Sequence, residues 1–115
     1  MKLGSIIQQL EGCDPEAPVR FDFGGLSPDP TQLDSYRGYY NDLALGWTDR
    51  SCTVQELLEA LREANGRTFT GYKGGEFDMN NQTPVWIAEY GRTSDTKIIG
   101  IEEDYYVTLH TGLRP

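Results

Sequence analysis

The chain has 115 residues and a formal net charge of −8, from 10 Lys and Arg against 18 Asp and Glu, and 37% of its residues are hydrophobic. This predicts one soluble domain, 1–115, because single domains commonly contain about 100–200 residues. Two cysteines and one histidine are too few for a four-ligand zinc site. No apolar run reaches the ~18 residues of a membrane span, and the acidic balance argues against an extended nucleic-acid interface. We therefore expect a cytoplasmic protein that binds no membrane.

The N-terminal part of the chain is predicted to contain a helix, a strand and a loop. Four aliphatic residues at helical spacing predict an amphipathic helix over 2–11. Alternating apolar residues over 19–23 predict a half-buried strand. The segment 24–30 is rich in glycine and proline, which predicts a surface loop.

The middle of the chain carries the clearest local signal. Aromatic and aliphatic residues over 39–47 predict a second strand. Thr53 and Glu56 then form a capping-box pattern at the start of an apolar stripe, and Asn65 tolerates the backbone conformation that ends a helix. Together these residues predict a helix over 53–65.

The C-terminal half is predicted to be β-structure. Four runs have strand composition, at 68–72, 84–90, 97–101 and 105–109. The last two runs flank the acidic residues 102–104, which predicts a hairpin with these residues at its tip. The elements together predict an α+β fold, in which a mostly antiparallel sheet of five or six strands carries two helices, about 2–11 and 53–65, packed on one face.

A catalytic site is difficult to assemble from this sequence. His110 is the single histidine, and no nucleophile motif surrounds any serine or cysteine that could partner it. The acidic run 102–104 lacks the ligand spacing of a calcium loop, and Cys13 and Cys52 suit the role of small apolar fillers. We therefore expect no enzyme activity, no metal and no cofactor. A small nucleotide-cleaving enzyme that uses His110 or a carboxylate is the least favoured alternative.

Two segments combine a cation with glycine and aromatic residues. In the first, 35–40, Arg37 lies beside a glycine and among three tyrosines; in the second, 68–77, Lys73 lies between Tyr72 and a pair of glycines. Arg and Lys neutralise phosphate, tyrosine offers a stacking face, and glycine lets a ligand approach the backbone. The alternative is structural: tyrosines that line a sheet, glycines in tight turns, and cations paired with carboxylates.

Five segments together resemble a family of small bacteriophage-encoded proteins, most of them uncharacterised. They are FDFGGL at 21–26, SYRGYY at 35–40, LALGW at 43–47, TFTGYKGGEF at 68–77 and TPVWIAEYG at 83–91. The resemblance covers nearly the whole chain and implies a phage gene product that acts in the cytoplasm of the bacterial host. Small acidic phage proteins are often counter-defence factors, and the resemblance extends to proteins that sequester nucleotide immune signals.

The first hypothesis is a non-catalytic protein that sequesters a small anionic nucleotide, either a cyclic nucleotide or an ADP-ribose derivative. Arg37 and Lys73 would neutralise its phosphate. The residues that would stack on its base or complete the pocket are Tyr36, Tyr39, Tyr72, Phe77, Arg20, Asn81 and Arg92. Because 115 residues leave little room for a deep cavity, we expect the site to be built in a symmetric homo-oligomer.

The alternative hypothesis is a protein-binding inhibitor of a host defence effector, such as an anti-CRISPR protein or a nucleic-acid mimic. Its main support is the net charge of −8, which would suit a basic channel on the effector. A phage accessory domain with neither role stays open as well.

Overall fold

The computed structural model describes residues 1–36, 41–71, 73–88 and 96–113. The described residues form two helices, α1 (Leu3–Glu11) and α2 (Val54–Ala64). They also form nine strands: β1 (Pro18–Phe21), β2 (Ser27–Ser35), β3 (Leu43–Thr48), β4 (Cys52–Thr53), β5 (Thr68–Thr70), β6 (Glu76–Asp78), β7 (Val85–Ile87), β8 (Thr96–Glu103) and β9 (Val107–Leu113). The fold is therefore of the α+β class.

Seven of the strands form one mixed sheet. Their order is β2-β3-β7-β8-β9-β1-β4, while β5 and β6 form a separate hairpin. The pairs β3–β7 and β9–β1 are parallel, and the other four neighbouring pairs are antiparallel. In the pair β9–β1, Val19 lies opposite Val107 and Arg20 opposite Thr108. The parallel pairing thus brings an early strand beside the last strand of the chain.

Both helices are formed by local signals and by burial of one face. At the start of α2, the Thr53 hydroxyl accepts a hydrogen bond from the Glu56 N–H at 3.2 Å, and the Glu56 carboxylate accepts one from the Thr53 N–H at 3.0 Å. The buried residues recur every three or four positions, as helical periodicity requires. They are Leu3, Ile6, Ile7 and Leu10 in α1, and Val54, Leu57, Leu58, Leu61 and Ala64 in α2. No described helix is both long and apolar enough to span a membrane.

The main core lies between these helix faces and one face of the sheet. Alternate strand residues join the same buried cluster as the helix residues: Val19, Phe21, Leu43, Leu45, Val85, Ile87, Ile98, Val107 and Leu109. Each fully buried aliphatic side chain contributes about 1.5–3 kcal/mol relative to an exposed one. This burial fixes the register of the strands, because a slip by one residue would turn every apolar side chain to the opposite face.

The opposite face of the sheet, here called the outer face, carries two different surfaces. At β3 and β7, Ala44, Trp86 and Tyr36 form a second small buried cluster. The Tyr36 and Trp86 rings stack there with centroids 5.0 Å apart. At β1 and β9, Arg20, Thr108 and His110 alternate with the core residues, and Arg20 is exposed.

The structure confirms the α+β class and corrects the predicted sheet. A mixed sheet of seven strands and a two-strand hairpin replace the mostly antiparallel sheet of five or six strands. The short strands β4 and β6 were not predicted, and the two residues of β4 are too few to show a periodicity. The parallel pairs were not predicted either, since pairing between distant segments leaves no local signal. The helices lie at 3–11 and 54–64, within one residue of the predicted ends.

The predicted loop over 24–30 is wrong in its second half. Strand β2 begins at Ser27 and includes Pro28 and Pro30. It is an edge strand of the sheet, and its pairing with β3 contains a bulge. Prolines are tolerated at such a place because their missing N–H groups interrupt no central ladder.

Several strand ends also differ from the predictions. Strand β1 ends at Phe21, so the predicted strand over 19–23 is too long. The hairpin of β8 and β9 is present, but Glu102 and Glu103 extend β8, and the turn follows at 104–106. The first two residues of the predicted strand over 39–47 lie outside the described residues, and β3 begins at Leu43.

Candidate functional site

A cavity of about 260 Å³ opens where β1 ends beside β9. It combines a cation, a carboxylate, aromatic rings and two consecutive glycines. Its lining residues are Arg20, Phe21, Asp22, Phe23, Gly24, Gly25, Tyr106 and Thr108. We call this feature the Arg20 cavity.

The cation of the cavity is held on an aromatic ring. The guanidinium carbon of Arg20 lies 3.7 Å from the centroid of the Tyr106 ring. The alternation of β1 turns Val19 and Phe21 into the core and Arg20 to the outer face. A guanidinium within stacking distance of a ring gains a cation–π interaction and keeps its N–H groups as donors.

A tight turn forms the next wall of the cavity. Gly24 and Gly25 have φ angles of 61° and 64°, and the Leu26 N–H donates to the Phe23 carbonyl at 3.2 Å. This combination is typical of a type I′ turn, which requires positive φ at both central residues and therefore favours glycine. Before the turn, the Phe23 ring stacks on Phe21 with centroids 5.1 Å apart.

A carboxylate connects this turn to β9. The Asp22 carboxylate accepts hydrogen bonds from the Thr111 N–H at 2.9 Å and from the Thr111 hydroxyl at 2.6 Å. The His110 ring lies between two carboxylates: its Nδ1 is 3.7 Å from Asp22 Oδ2, and its Nε2 is 3.2 Å from Glu102 Oε1. The histidine therefore directs both ring nitrogens towards carboxylates of its own sheet.

The hydrogen bonds also set the protonation behaviour of Asp22. Desolvation by burial raises the pKa of Asp22, but the hydrogen bonds from Thr111 and the nearby His110 outweigh it and lower the pKa from the usual 3.8. Asp22 is therefore a carboxylate at neutral pH. Among the described residues, no group of three or more His, Cys, Asp and Glu side chains could hold a metal ion.

Four of the nine predicted ligand residues lie outside the described residues. They are Arg37, Tyr39, Tyr72 and Arg92. Of the other five, Arg20 lines the cavity described above, and Tyr36 is buried against Trp86 on a different part of the outer face.

The remaining three predicted residues lie elsewhere. Lys73 is exposed in the turn between β5 and β6, and Phe77 lies in the middle of β6, half-buried against the main core. Asn81 packs at the start of α1, where its carbonyl accepts from the Gly4 N–H at 3.0 Å and its side chain accepts from Asn65 at 2.7 Å. The five described candidates thus lie in four separate places. The prediction that the nine residues together bind one ligand is not tested by these positions and stays a prediction.

Several residues of the Arg20 cavity were not predicted from the sequence. Tyr106 and Thr108 become neighbours of Arg20 only through the parallel pairing of β1 with β9. His110 was considered as a catalytic residue and not as a neighbour of Asp22. The one available signal was the alternation in β1, which indicates that Arg20 and Asp22 project from the same face.

No protein-family model, curated protein or solved structure matches this chain. The resemblance of its five segments to phage-encoded proteins therefore stays a prediction, and the geometry of the Arg20 cavity carries the functional proposal.

Proposed function

We propose that the protein binds a small nucleotide without converting it, and that the Arg20 cavity is the binding site. The observation that carries this proposal is the Arg20 guanidinium held 3.7 Å from the centroid of the Tyr106 ring at a cavity of about 260 Å³. A guanidinium donates to phosphate oxygens through its N–H groups. Aromatic rings and guanidinium planes are also the surfaces on which unpaired bases stack.

The turn after β1 supports the same function. Gly24 and Gly25 carry no side chain that would fill the cavity, and the Phe23 ring adds an apolar surface beside them. A ligand can therefore approach the backbone closely at this point. The sites of small ligands typically combine apolar walls with a few polar groups in this way.

The biological role that we propose is phage counter-defence in the cytoplasm of the bacterial host. The nucleotide would be an immune signal, a cyclic nucleotide or an ADP-ribose derivative, which the protein removes by sequestration. The resemblance of the five segments to phage-encoded proteins supports this role. Because the cavity of one copy is small, a homo-oligomer would bury the ligand more completely.

Calorimetric titration with a nucleotide panel tests the proposal. The panel contains 3′,5′-cyclic mononucleotides, cyclic dinucleotides and ADP-ribose. We expect at least one of them to bind, to be recovered intact after long incubation, and at 100 times its dissociation constant to stabilise the fold by about 2.7 kcal/mol. Chemical conversion of the bound nucleotide would contradict a non-catalytic role.

The chain offers a matched pair of variants for this test. Arg67 also lies over an aromatic ring, with its guanidinium carbon 4.6 Å from the centroid of Phe69, at the start of the β5–β6 hairpin. We expect Arg20→Ala to abolish nucleotide binding and Arg67→Ala to leave it unchanged. Loss of nucleotide binding in both variants would contradict the assignment of the site, and so would unchanged binding in both.

A second candidate function is supported by one exposed aromatic residue. Tyr105 is 91% exposed in the turn between β8 and β9, and it directly follows the acidic residues 102–104. Exposed tyrosines are frequent anchors of protein interfaces, and acidic neighbours would suit a basic partner surface. We therefore also propose, as the alternative, an acidic inhibitor that binds a host defence effector.

Pull-down from host lysate tests this alternative. We expect a stoichiometric protein partner that is released by salt and lost with Tyr105→Ala, because that substitution removes the anchor. The control is Tyr106→Ala, which removes the ring under Arg20 and should impair nucleotide binding instead. Recovery of the chain alone from the lysate would argue against the inhibitor.

A further inference from the structure

We infer that the Arg20 cavity selects a nucleotide unit with one singly charged phosphodiester, such as a 3′,5′-cyclic mononucleotide, and discriminates against polyphosphates. This inference rests on the proposed function and names the ligand class of the same site. Two independent properties of the cavity support it, its charge arrangement and its size.

The charge arrangement follows from the sheet register. Arg20 lies opposite Thr108, and Thr108 lies opposite Glu102 on the next strand. Because neighbouring strands are about 4.8 Å apart, the backbones at Arg20 and Glu102 are separated by about 10 Å across the outer face. Asp22 lies closer, in the wall of the cavity itself. One guanidinium thus shares this part of the outer face with two carboxylates, of which only Asp22 lines the cavity.

His110 lies between these two carboxylates. Its Nε2 is within hydrogen-bond distance of Glu102, at 3.2 Å, whereas its Nδ1 lies 3.7 Å from the nearest Asp22 oxygen. A single phosphodiester charge can pair with Arg20 and be compensated. Further negative charges of a triphosphate would lie within about one Debye length of both carboxylates, where repulsion is only partly screened.

The same carboxylates can accept hydrogen bonds from a ligand. Each oxygen of a carboxylate has two acceptor sites, so Asp22 keeps capacity beyond the bonds from Thr111. Ribose hydroxyls and the amino groups of bases are donors of the required kind. A ligand with one negative charge and several donors therefore fits this site better than a polyphosphate does.

The size of the cavity leads to the same ligand class. Its volume of about 260 Å³ lies below the roughly 300–1,000 Å³ that sites for drug-sized ligands occupy. That volume suits one base, ribose and phosphate unit. ADP-ribose, with its second ribose and its diphosphate, would extend beyond the walls of a single cavity.

Competition between two probes with the same base tests the inference. The probes are 3′,5′-cyclic AMP and ATP, titrated calorimetrically without divalent cations. At low salt we expect ATP to bind about tenfold more weakly, because its additional negative charges are attracted by one guanidinium and repelled by two carboxylates. High salt should narrow the difference in affinity between cyclic AMP and ATP, because it screens the repulsion.

A charge-removing variant identifies the source of the discrimination. Glu102 is largely exposed, so Glu102→Gln should fold normally, and we expect it to reduce the preference for cyclic AMP to about threefold. The matched control is Glu63→Gln, which removes one charge from an exposed position of α2 and should leave the preference unchanged.

The outcomes separate this inference from the function on which it rests. Weaker binding of ATP that Glu102→Gln partly restores supports the inference. Equal or tighter binding of ATP, or the same preference in Glu102→Gln, overturns the inference and leaves a nucleotide-binding site. If neither these probes nor the wider panel binds, the proposed function fails and the inference fails with it.

Discussion

Removal of the Asp22 carboxylate should loosen the connection between the turn after β1 and strand β9. Asp22→Ala eliminates the acceptor of two hydrogen bonds from Thr111, one from its N–H at 2.9 Å and one from its hydroxyl at 2.6 Å. Hydrogen bonds to charged groups contribute about 1.5–3 kcal/mol when they are well shielded. The Asp22 side chain is 28% exposed, and solvent competition lowers each contribution to about 1 kcal/mol. We expect a loss of about 2 kcal/mol in the free energy of unfolding at neutral pH.

The effect of Asp22→Ala should depend on pH with a definite sign. The pKa of Asp22 in the folded protein lies below 3.8, because its hydrogen bonds from Thr111 and its proximity to His110 outweigh desolvation. A carboxylate whose pKa is lowered by folding stabilises the protein above the unfolded-state pKa, and this stabilisation is lost as the pH falls through the folded-state value. The difference between wild type and variant should therefore shrink on acidification.

Urea unfolding followed by tryptophan fluorescence measures both effects. Curves at neutral pH and at about pH 3 are compared for wild type, Asp22→Ala and the control Glu63→Gln, which removes one negative charge from an exposed position of α2. Equal stabilities of wild type and Asp22→Ala at neutral pH would refute the reasoning. A difference that grows on acidification would refute the assigned sign.

Three further predictions concern the helix cap, the turn and the cysteines. Thr53→Ala should cost about 1 kcal/mol in urea unfolding, because the capping box loses its hydroxyl. Gly25→Ala should lower the free energy of unfolding by about 1–2 kcal/mol, since φ is +64° at this position. The control Gly12→Ala should be tolerated, because φ is −85° there. Equal losses in the two variants would contradict the assigned turn. A thiol reagent should modify Cys13 before Cys52 in the folded protein, because Cys52 is buried and desolvation raises its pKa to about 12. Mass spectrometry of the labelled chain measures the order of modification. Modification of Cys52 before Cys13 would contradict the packing.

The parts of the fold that could be predicted are those with local causes. Helix α2 was predicted within a residue of each end because its capping box and its apolar stripe are contained in one short segment. Gly24 and Gly25 were likewise visible as a break in the pattern, although the sequence predicted a longer loop over 24–30. The placement of β1 beside β9 depends on burial of distant segments in a common core, and no local pattern encodes that pairing.

The candidate site also contains one residue that could be predicted from the sequence and one that could not. Arg20 could be selected from the sequence because of its charge and its outward position in an alternating strand. Tyr106, which supports its guanidinium, could not be identified as its neighbour without the pairing of β1 with β9. Proline composition misled the prediction at β2, because an edge strand tolerates residues that a central strand excludes.

Native mass spectrometry tests the central proposal most directly. Wild type, Arg20→Ala and Arg67→Ala are purified from bacteria that express an active nucleotide-signalling defence system, and any small molecule released on denaturation is identified. We predict an intact nucleotide with wild type and Arg67→Ala but not with Arg20→Ala, together with the mass of the homo-oligomer that holds it. A protein that carries no nucleotide, or an Arg20→Ala variant that carries as much as wild type, would contradict a nucleotide-binding role for the Arg20 cavity.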